Sequence, residues 1–329
     1  MVTKEAKLKK NYLDKDVEMI STREGFGQGL VELGEKNEQI VVLCADLTDS
    51  TKTSPFRERF PERFIQVGIA EQNMANIAVG LSLQGKIPFL ATYAVFSPGR
   101  NWDQIRISGC YNRANVKYAG AHSGLSVGPD GATHQALEDI ALTRVLPRMT
   151  VLVPCDAEET RKVTHAAADI NGPVYFRYAR AATAAFTTAQ TPFKIGRAQV
   201  FRDGDDVAII GAGPIVHTAL VVADRLVEKN ISCRVINSPS IKPLDGETIE
   251  RAARECKALV TCEEHQVTGG LGGAIAEYTS KTFPVPINFI GMQDSFGESG
   301  QPNELLKKYK MDAEAIEAAV LAVVKRKRT

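Results

Sequence analysis

The chain has 329 residues, 44% of them hydrophobic and 24% charged, which is a globular composition long enough for about two domains and not that of a disordered chain. Forty Lys+Arg stand against 39 Asp+Glu, so the overall charge gives no support to nucleic-acid binding through a basic surface. There is no apolar run of the roughly 18 residues a membrane helix needs, the opening MVTKEAKLKK lacks an apolar signal core, and the six scattered cysteines form no CxxC, which predicts small core residues in a reduced, cytoplasmic protein without structural zinc.

In chain order, short apolar runs predict strands at Gln39–Cys44, Arg63–Val67, Ile87–Ala91, Val116–Ala119, Thr150–Val153 and Val174–Arg177. Amphipathic stretches between them predict helices at Thr22–Glu35, Gln72–Leu83, Gly99–Cys110, His134–Leu142 and Ala157–Asp169. Buried strands alternating with helices of about 10–15 residues indicate βαβ units and a parallel sheet. Residues 181–192 (AATAAFTTAQTP) are small, polar and without a trusted period, and read as an interdomain linker. The alternation then resumes. Strands are expected at Val207–Ile210, Cys233–Ile236, Leu259–Thr261 and Ile287–Ile290, and helices at Ile215–Lys229, Gly246–Glu255, Gly270–Thr282 and Ala313–Lys325. The reading is therefore α/β, with two domains of mainly parallel sheet at 12–180 and 193–329. The closing KRKRT reads as a solvated, cationic helix end.

Gly211-Ala-Gly213 sits between a strand and a helix but has Val216 where a dinucleotide fingerprint has its third glycine. It reads better as a tight packing turn. Gly68-Ile-Ala-Glu71-Gln-Asn-Met74 delivers a carboxylate to a helix start, where it could complement the helix dipole. Among apolar and amide neighbours it could also serve as a proton donor or strong hydrogen-bond partner. The segment His122-Ser-Gly-Leu-Ser-Val-Gly-Pro-Asp130-Gly-Ala-Thr-His134-Gln135 holds two of the five histidines in an irregular loop. Loops after strand ends are where α/β folds bind ligands. A two-His, one-Asp metal site is conceivable there, but neutral imidazoles that hydrogen-bond a hydroxylated substrate fit better. Tyr93 and Phe96 are core aromatics unless a flat ligand stacks on them. Arg23, Arg177 and Arg180 at the ligand edge are candidate phosphate clamps.

Together these segments resemble the C-terminal half of transketolase, including the separate subunit found where that enzyme is split into two chains. The resemblance rests on Ala45-Asp46-Leu47 with Ser50, on Glu71 with Met74, Gly80 and Gly85, and on His122 followed by Asp130-Gly131-Ala-Thr133-His134-Gln135. It implies a pyrimidine-binding domain followed by the transketolase C-terminal domain, and thiamine diphosphate as cofactor. Glu71 would hydrogen-bond N1′ of the cofactor's aminopyrimidine, so that its 4′-amino group can act as base on the thiazolium carbon. Phe96 would stack on the pyrimidine with Tyr93 nearby, and Asp46 would lie on the thiazolium side. His122, Asp130 and His134 would hold the hydroxyls of a ketose phosphate and move protons. Arg23, Ser50 and Arg180 would grip its phosphate, Arg180 being chosen over Arg177 by its spacing from Pro173.

The diphosphate and Mg²⁺ (or Ca²⁺) pocket is missing from this chain. Asp203-Gly-Asp205 precedes a strand where the family's G-D-G motif follows one, and so reads as a surface turn. The resemblance thus implies a separate N-terminal subunit carrying that pocket, with two copies of each chain in the enzyme. Two departures concern the aromatic wall and channel mouth: Ser97-Pro98-Gly99-Arg100 lacks the acidic residue and tyrosine usual after the stacking phenylalanine, and Gln84 replaces a common histidine. The competing readings are half of a deoxyxylulose-phosphate synthase, which has a carboxylate in place of His122, a 2-oxoacid dehydrogenase β subunit, and a non-enzymatic interaction protein. The second domain is expected to support assembly and to contribute little to the catalytic centre.

Overall fold

The computed structural model describes residues 1–327; Arg328 and Thr329, the end of the basic tail, lie outside the described residues. The first half begins with β1 (Met19–Ser21), α1 (Thr22–Lys36), β2 (Ile40–Cys44), α2 (Ser54–Arg59), β3 (Phe64–Gln66), α3 (Glu71–Leu83) and β4 (Ile87–Tyr93). It continues through α4 (Trp102–Gln104), β5 (Lys117–Ala121), α5 (Asp139–Arg144), β6 (Thr150–Leu152), α6 (Ala157–Asp169), β7 (Val174–Arg177) and β8 (Ala182–Ala184). Every residue of β2, β5 and β7 is buried, as expected of strands covered by helices on both faces. Burying one such Val, Leu or Ile contributes roughly 1.5–3 kcal/mol. Ser21 caps α1, its side chain accepting the Arg23 N–H, and Asp156 caps α6 by accepting the Glu159 N–H. Such caps stabilise a helix start by about 1 kcal/mol each.

The second half supplies β9 (Gln199–Arg202), β10 (Val207–Gly211), α7 (Ile215–Arg225), β11 (Cys233–Asn237), β12 (Ser240–Lys242), α8 (Gly246–Cys256) and β13 (Leu259–Gln266). It ends with α9 (Leu271–Thr282), β14 (Ile287–Met292), α10 (Pro302–Lys308) and α11 (Ala313–Lys327). Its five-stranded sheet has the order β14-β13-β10-β11-β9 and is parallel except for β9. The seven-stranded sheet of the first half has the order β12-β6-β7-β5-β4-β2-β3. Its outermost strand comes from the second half and runs antiparallel to β6. The six cysteines are all buried and unbridged, and among the described residues no helix is long and apolar enough to cross a membrane.

The structure departs from the expected elements in several places. The helix expected at His134–Leu142 begins only at Asp139. The preceding residues turn at 132–134, where His134 donates its N–H to the Gly131 carbonyl (3.0 Å), and Ala136 then bridges Ser123 and accepts the Gly124 N–H (3.0 Å). The helix expected at Gly99–Cys110 is α-helical only over Trp102–Gln104 and then widens to a π-helix over Ile105–Tyr111. Gly109 in that turn lies against the Tyr118 hydroxyl, where a Cβ would meet oxygen at 2.4 Å. The stretch expected to lack strand structure, 181–192, contains β8, which pairs antiparallel with β1. Its Phe186 and Thr187 N–H groups then donate to the Asp156 carboxylate (3.0 and 2.7 Å). Finally, β1, β9, β12, α2 and α10 have no counterpart among the expected elements; β1 and β12, three residues each, are too short to show a period.

Candidate active site

Strand order reverses around β2 and β4, since β3 lies on one side of β2 and β5 lies on the far side of β4. The carboxyl ends of parallel strands at such a point form the crevice where α/β sheets bind ligands. Asp46, Tyr93 and His122 all lie at or just past those ends. Asp46 and His122 turn the chain in the left-handed region (φ 60° and 56°), which Asp and His adopt more readily than most non-glycine residues.

Four side chains form a row. The Tyr93 ring stacks on His122 with centroids 4.0 Å apart, and on Phe96 at 5.7 Å. His134 stands edge-on to both Tyr93 (5.9 Å) and Phe96 (5.4 Å). At the far end, the Arg100 guanidinium lies 4.0 Å above the Phe96 centroid, and its Nη1 donates to both carboxylate oxygens of Glu71 at 3.0 and 3.2 Å. Glu71 is the first residue of α3 and only 4% exposed. The structure thus brings Glu71, Tyr93, Phe96, His122 and His134 into one continuous surface.

His122 is buried, and its Nδ1 has no hydrogen-bond partner. Burial pushes its pKa down to about 3, with the charges of Arg23 and Arg180 and the neighbouring His134 adding to the effect. It is therefore a neutral imidazole at neutral pH, and its Nδ1 is a buried polar atom left without a partner. His134 Nδ1 pairs with the Thr133 hydroxyl at 2.9 Å. Arg180 lies 3.7 Å from Asp130 and donates to the Val127 carbonyl. Arg23 donates to the Ser50 carbonyl (3.0 Å) and the Ser21 hydroxyl (3.2 Å). Asp46 is exposed, and its N–H donates to the Gln66 side chain (2.8 Å). Among the described residues, no hydrogen bond or ion pair ties the Asp46 carboxylate to the row.

Arg177 has a different job. Its guanidinium is buried, donating to Asp139 (3.0 Å) and to the Glu264 carbonyl (3.0 Å), while the Tyr175 hydroxyl donates to the same Asp139. It is a tie inside the protein, and Arg180 is the half-exposed member of the two arginines. The Asp203-Gly204-Asp205 string lies in the turn between β9 and β10. Asp203 there accepts from Gly204 N–H and from Arg234 (both 3.0 Å).

Two groups of residues escape a reading of the sequence. The first is Arg100, which stands out there only as part of a divergent segment. The second belongs to the other domain. Glu264, on β13, accepts the Ser126 N–H at 3.0 Å, and residue 124 is a glycine because a Cβ there would meet that carboxylate at 2.7 Å. Gln135 donates to the Glu298 carbonyl (2.9 Å), and Gln266 N–H to the Leu137 carbonyl (2.9 Å). The loop carrying His122 and His134 is thus braced directly by the second domain, at Ser126, Gln135 and Leu137. No local pattern in the sequence links residue 264 to residue 126. The only signal is the glycine density of the loop, which demands close neighbours.

The row also tests whether an aminopyrimidine would fit. Arg100 presents a planar cation with N–H groups to Glu71 and lies over the Phe96 face, its guanidinium carbon 4.0 Å from the ring centroid. A pyrimidine protonated at one ring nitrogen presents the same features, so the carboxylate and the aromatic face suit such a ring.

Comparison with known proteins gives a consistent picture. The profile of the transketolase pyrimidine binding domain matches residues 18–184, and that of the transketolase C-terminal domain matches residues 196–316. A solved structure described as a split gene transketolase, an inactive β4 tetramer, is 48% identical, with a TM-score of 0.88 covering 94% of this chain and 100% of that one. A 6-deoxy-6-sulfo-D-fructose transketolase subunit of Clostridium sp. (strain MSTE9) is 36% identical over 93% of this chain and 95% of its own. Transketolase-like protein 2 of Mus musculus is 39% identical over 92% of this chain, which spans only 48% of that longer protein.

Proposed function

This chain belongs to the transketolase family, and from that premise we propose that it is the C-terminal subunit of a split, thiamine-diphosphate-dependent transketolase. It acts with an N-terminal subunit that carries the diphosphate and Mg²⁺ pocket. The assembled enzyme, two copies of each chain, moves a two-carbon ketol unit from a ketose phosphate such as xylulose 5-phosphate to an aldose phosphate. The observation that carries this reading is the row from Glu71 through Phe96 and Tyr93 to His122. A buried carboxylate and an aromatic face lie at one end, and neutral imidazole lies at the other.

When bound, thiamine diphosphate would supply the carbanion chemistry that a two-carbon transfer needs, with Glu71 and Phe96 of this chain holding its pyrimidine ring. Glu71 accepts the hydrogen bond of the pyrimidine N1′ and so controls the proton on that atom. Phe96 holds the ring's face, and Tyr93 backs Phe96. Asp46, at the end of β2, faces the thiazolium side. His122 and His134 hydrogen-bond the ketose hydroxyls and accept or return the hydroxyl proton as the C2–C3 bond breaks and forms. A neutral imidazole is the form that can take such a proton. Asp130 orients Arg180, and Arg23, Ser50 and Arg180 hold the sugar phosphate by charge-assisted contacts.

The test is reconstitution. The chain mixed with its N-terminal subunit, thiamine diphosphate and Mg²⁺ should convert xylulose 5-phosphate and ribose 5-phosphate, while the chain alone should not. Glu71→Ala should lower that rate by about 100-fold or more with the four-chain complex still forming in gel filtration. Turnover by the isolated chain, or release of CO₂ from pyruvate by the complex, would overturn the reading.

A further inference from the structure

We propose that Arg100 is a place-holder in the cofactor site: its guanidinium occupies the seat of the pyrimidine ring and is displaced when the ring binds. This rests on the reading that Glu71 and Phe96 receive the pyrimidine. Two contacts define that seat, a hydrogen bond to the Glu71 carboxylate and a stack on the Phe96 face. Arg100 makes both at once, with N···O distances of 3.0 and 3.2 Å and a 4.0 Å approach to the ring centroid. A planar ring and a planar guanidinium cannot share one aromatic face and one carboxylate edge.

The neighbouring residues show which partner moves. Glu71 is buried, whereas the Arg100 side chain is 50% exposed. Asn101, immediately after it, is buried and donates to the Glu71 carbonyl (3.3 Å) and the Ser97 hydroxyl (3.1 Å). The backbone of this segment is therefore pinned to the start of α3, and the exchange is a swing of one side chain into solvent.

The exchange has a chemical consequence. A guanidinium stays protonated at any working pH, so it can neutralise Glu71 but cannot trade a proton with it. A ring nitrogen can. Before the cofactor arrives, Arg100 keeps a buried carboxylate from standing without a counter-charge, a situation proteins avoid. After it arrives, Glu71 faces the one atom whose protonation matters. Arg100 thus stabilises the empty site and competes with the ring for it.

The competition fixes the sign of the test. Calorimetric titration of thiamine diphosphate with Mg²⁺ into the assembled enzyme should show roughly fivefold tighter binding for Arg100→Met than for the natural chain, the factor expected for losing one half-exposed ion pair with a cation–π contact. Arg100→Lys, which keeps the charge but loses the planar fork, should fall between them and covers the case in which the first variant assembles poorly. Weaker binding by Arg100→Met would make Arg100 a cofactor contact, and unchanged binding would place it outside the seat; either overturns the proposal. The parent reading is tested separately in the same titration. To keep the two results apart, Glu71→Gln is added to Arg100→Met, where no competing ion pair remains to be lost; if the double variant binds the cofactor as well as Arg100→Met alone, the assignment of Glu71 falls.

Discussion

The two ends of the aromatic row are built in different ways. The Glu71 end comes from a single domain, from the start of α3 and the segment after β4. It is closed over by one half-exposed arginine, and Ile69, Gln72, Asn73, Asn76 and Gly80 lie exposed on the adjoining face. The His122–His134 end is held between both domains. Glu264 takes Ser126, Glu298 takes Gln135, Gln266 takes Leu137, and α10 packs on Leu125–Asp130. A surface left open on one side is suited to completion by another chain, while the end proposed to hold sugar hydroxyls is already braced by both domains. Under the proposed function, this is the division of labour expected of a half-enzyme. The ring end waits for its partner, and the sugar end does not.

Breaking the brace at its anchor should have the largest effect. Arg177→Met leaves Asp139 buried without its cation, and losing one partner of a buried pair costs about 3–5 kcal/mol. Urea melts of the isolated chain should show a loss of that size; a loss under about 1 kcal/mol would mean the Arg177 tie carries little of the domain contact. Glu264→Ala is a milder cut confined to the sugar end. It strands the Ser126 N–H, a cost of about 1–3 kcal/mol. In the reconstituted enzyme the KM for the ketose should rise about tenfold with cofactor affinity unchanged, and Glu264→Gln, which retains an acceptor oxygen, should behave nearly as the natural chain. A fall in cofactor affinity instead would erase the distinction between the two ends.

The smallest effect concerns His122. Its imidazole signals in an NMR titration should stay still between pH 8 and pH 5, because its pKa is pushed down to about 3. Arg23→Gln removes one of the repelling charges and should raise that value. The sign for stability follows from linkage. The unfolded chain takes the proton near pH 6.5 and the folded one only near 3, so this histidine favours unfolding increasingly as pH falls below about 6.5. A His122 resonance titrating near pH 6.5 would show the sugar end to be open to water.

Much of this is legible in the sequence because it is local. The fully buried strands show as apolar runs such as IVVLC at 40–44. The spacing of Glu71, and of His122 to Gln135, places these residues at strand and helix ends without any need of the partner elements. What stays hidden depends on approach through space. The Arg100–Glu71 pair spans 29 residues and the Glu264–Ser126 bond 138, and neither leaves a periodic trace. The helix expected from His134 starts only at Asp139, because the turn at 132–134 and the bridge from Ala136 to Ser123 take up the preceding residues. Tyr93 and Phe96, which read as core by type, line the row because the chain turns outward after β4.

The β12 strand matters during synthesis as well as in the finished molecule. The β6 edge that it covers is complete at residue 152, but the strand that caps it is Ser240–Lys242. On a ribosome adding residues one at a time, that edge would stay open until the chain has grown well into its second half, and an unpaired strand edge is a template for wrong pairing. Two domains that look separable by their sheets therefore finish folding as one unit, with the first sheet sealed by the second half of the chain.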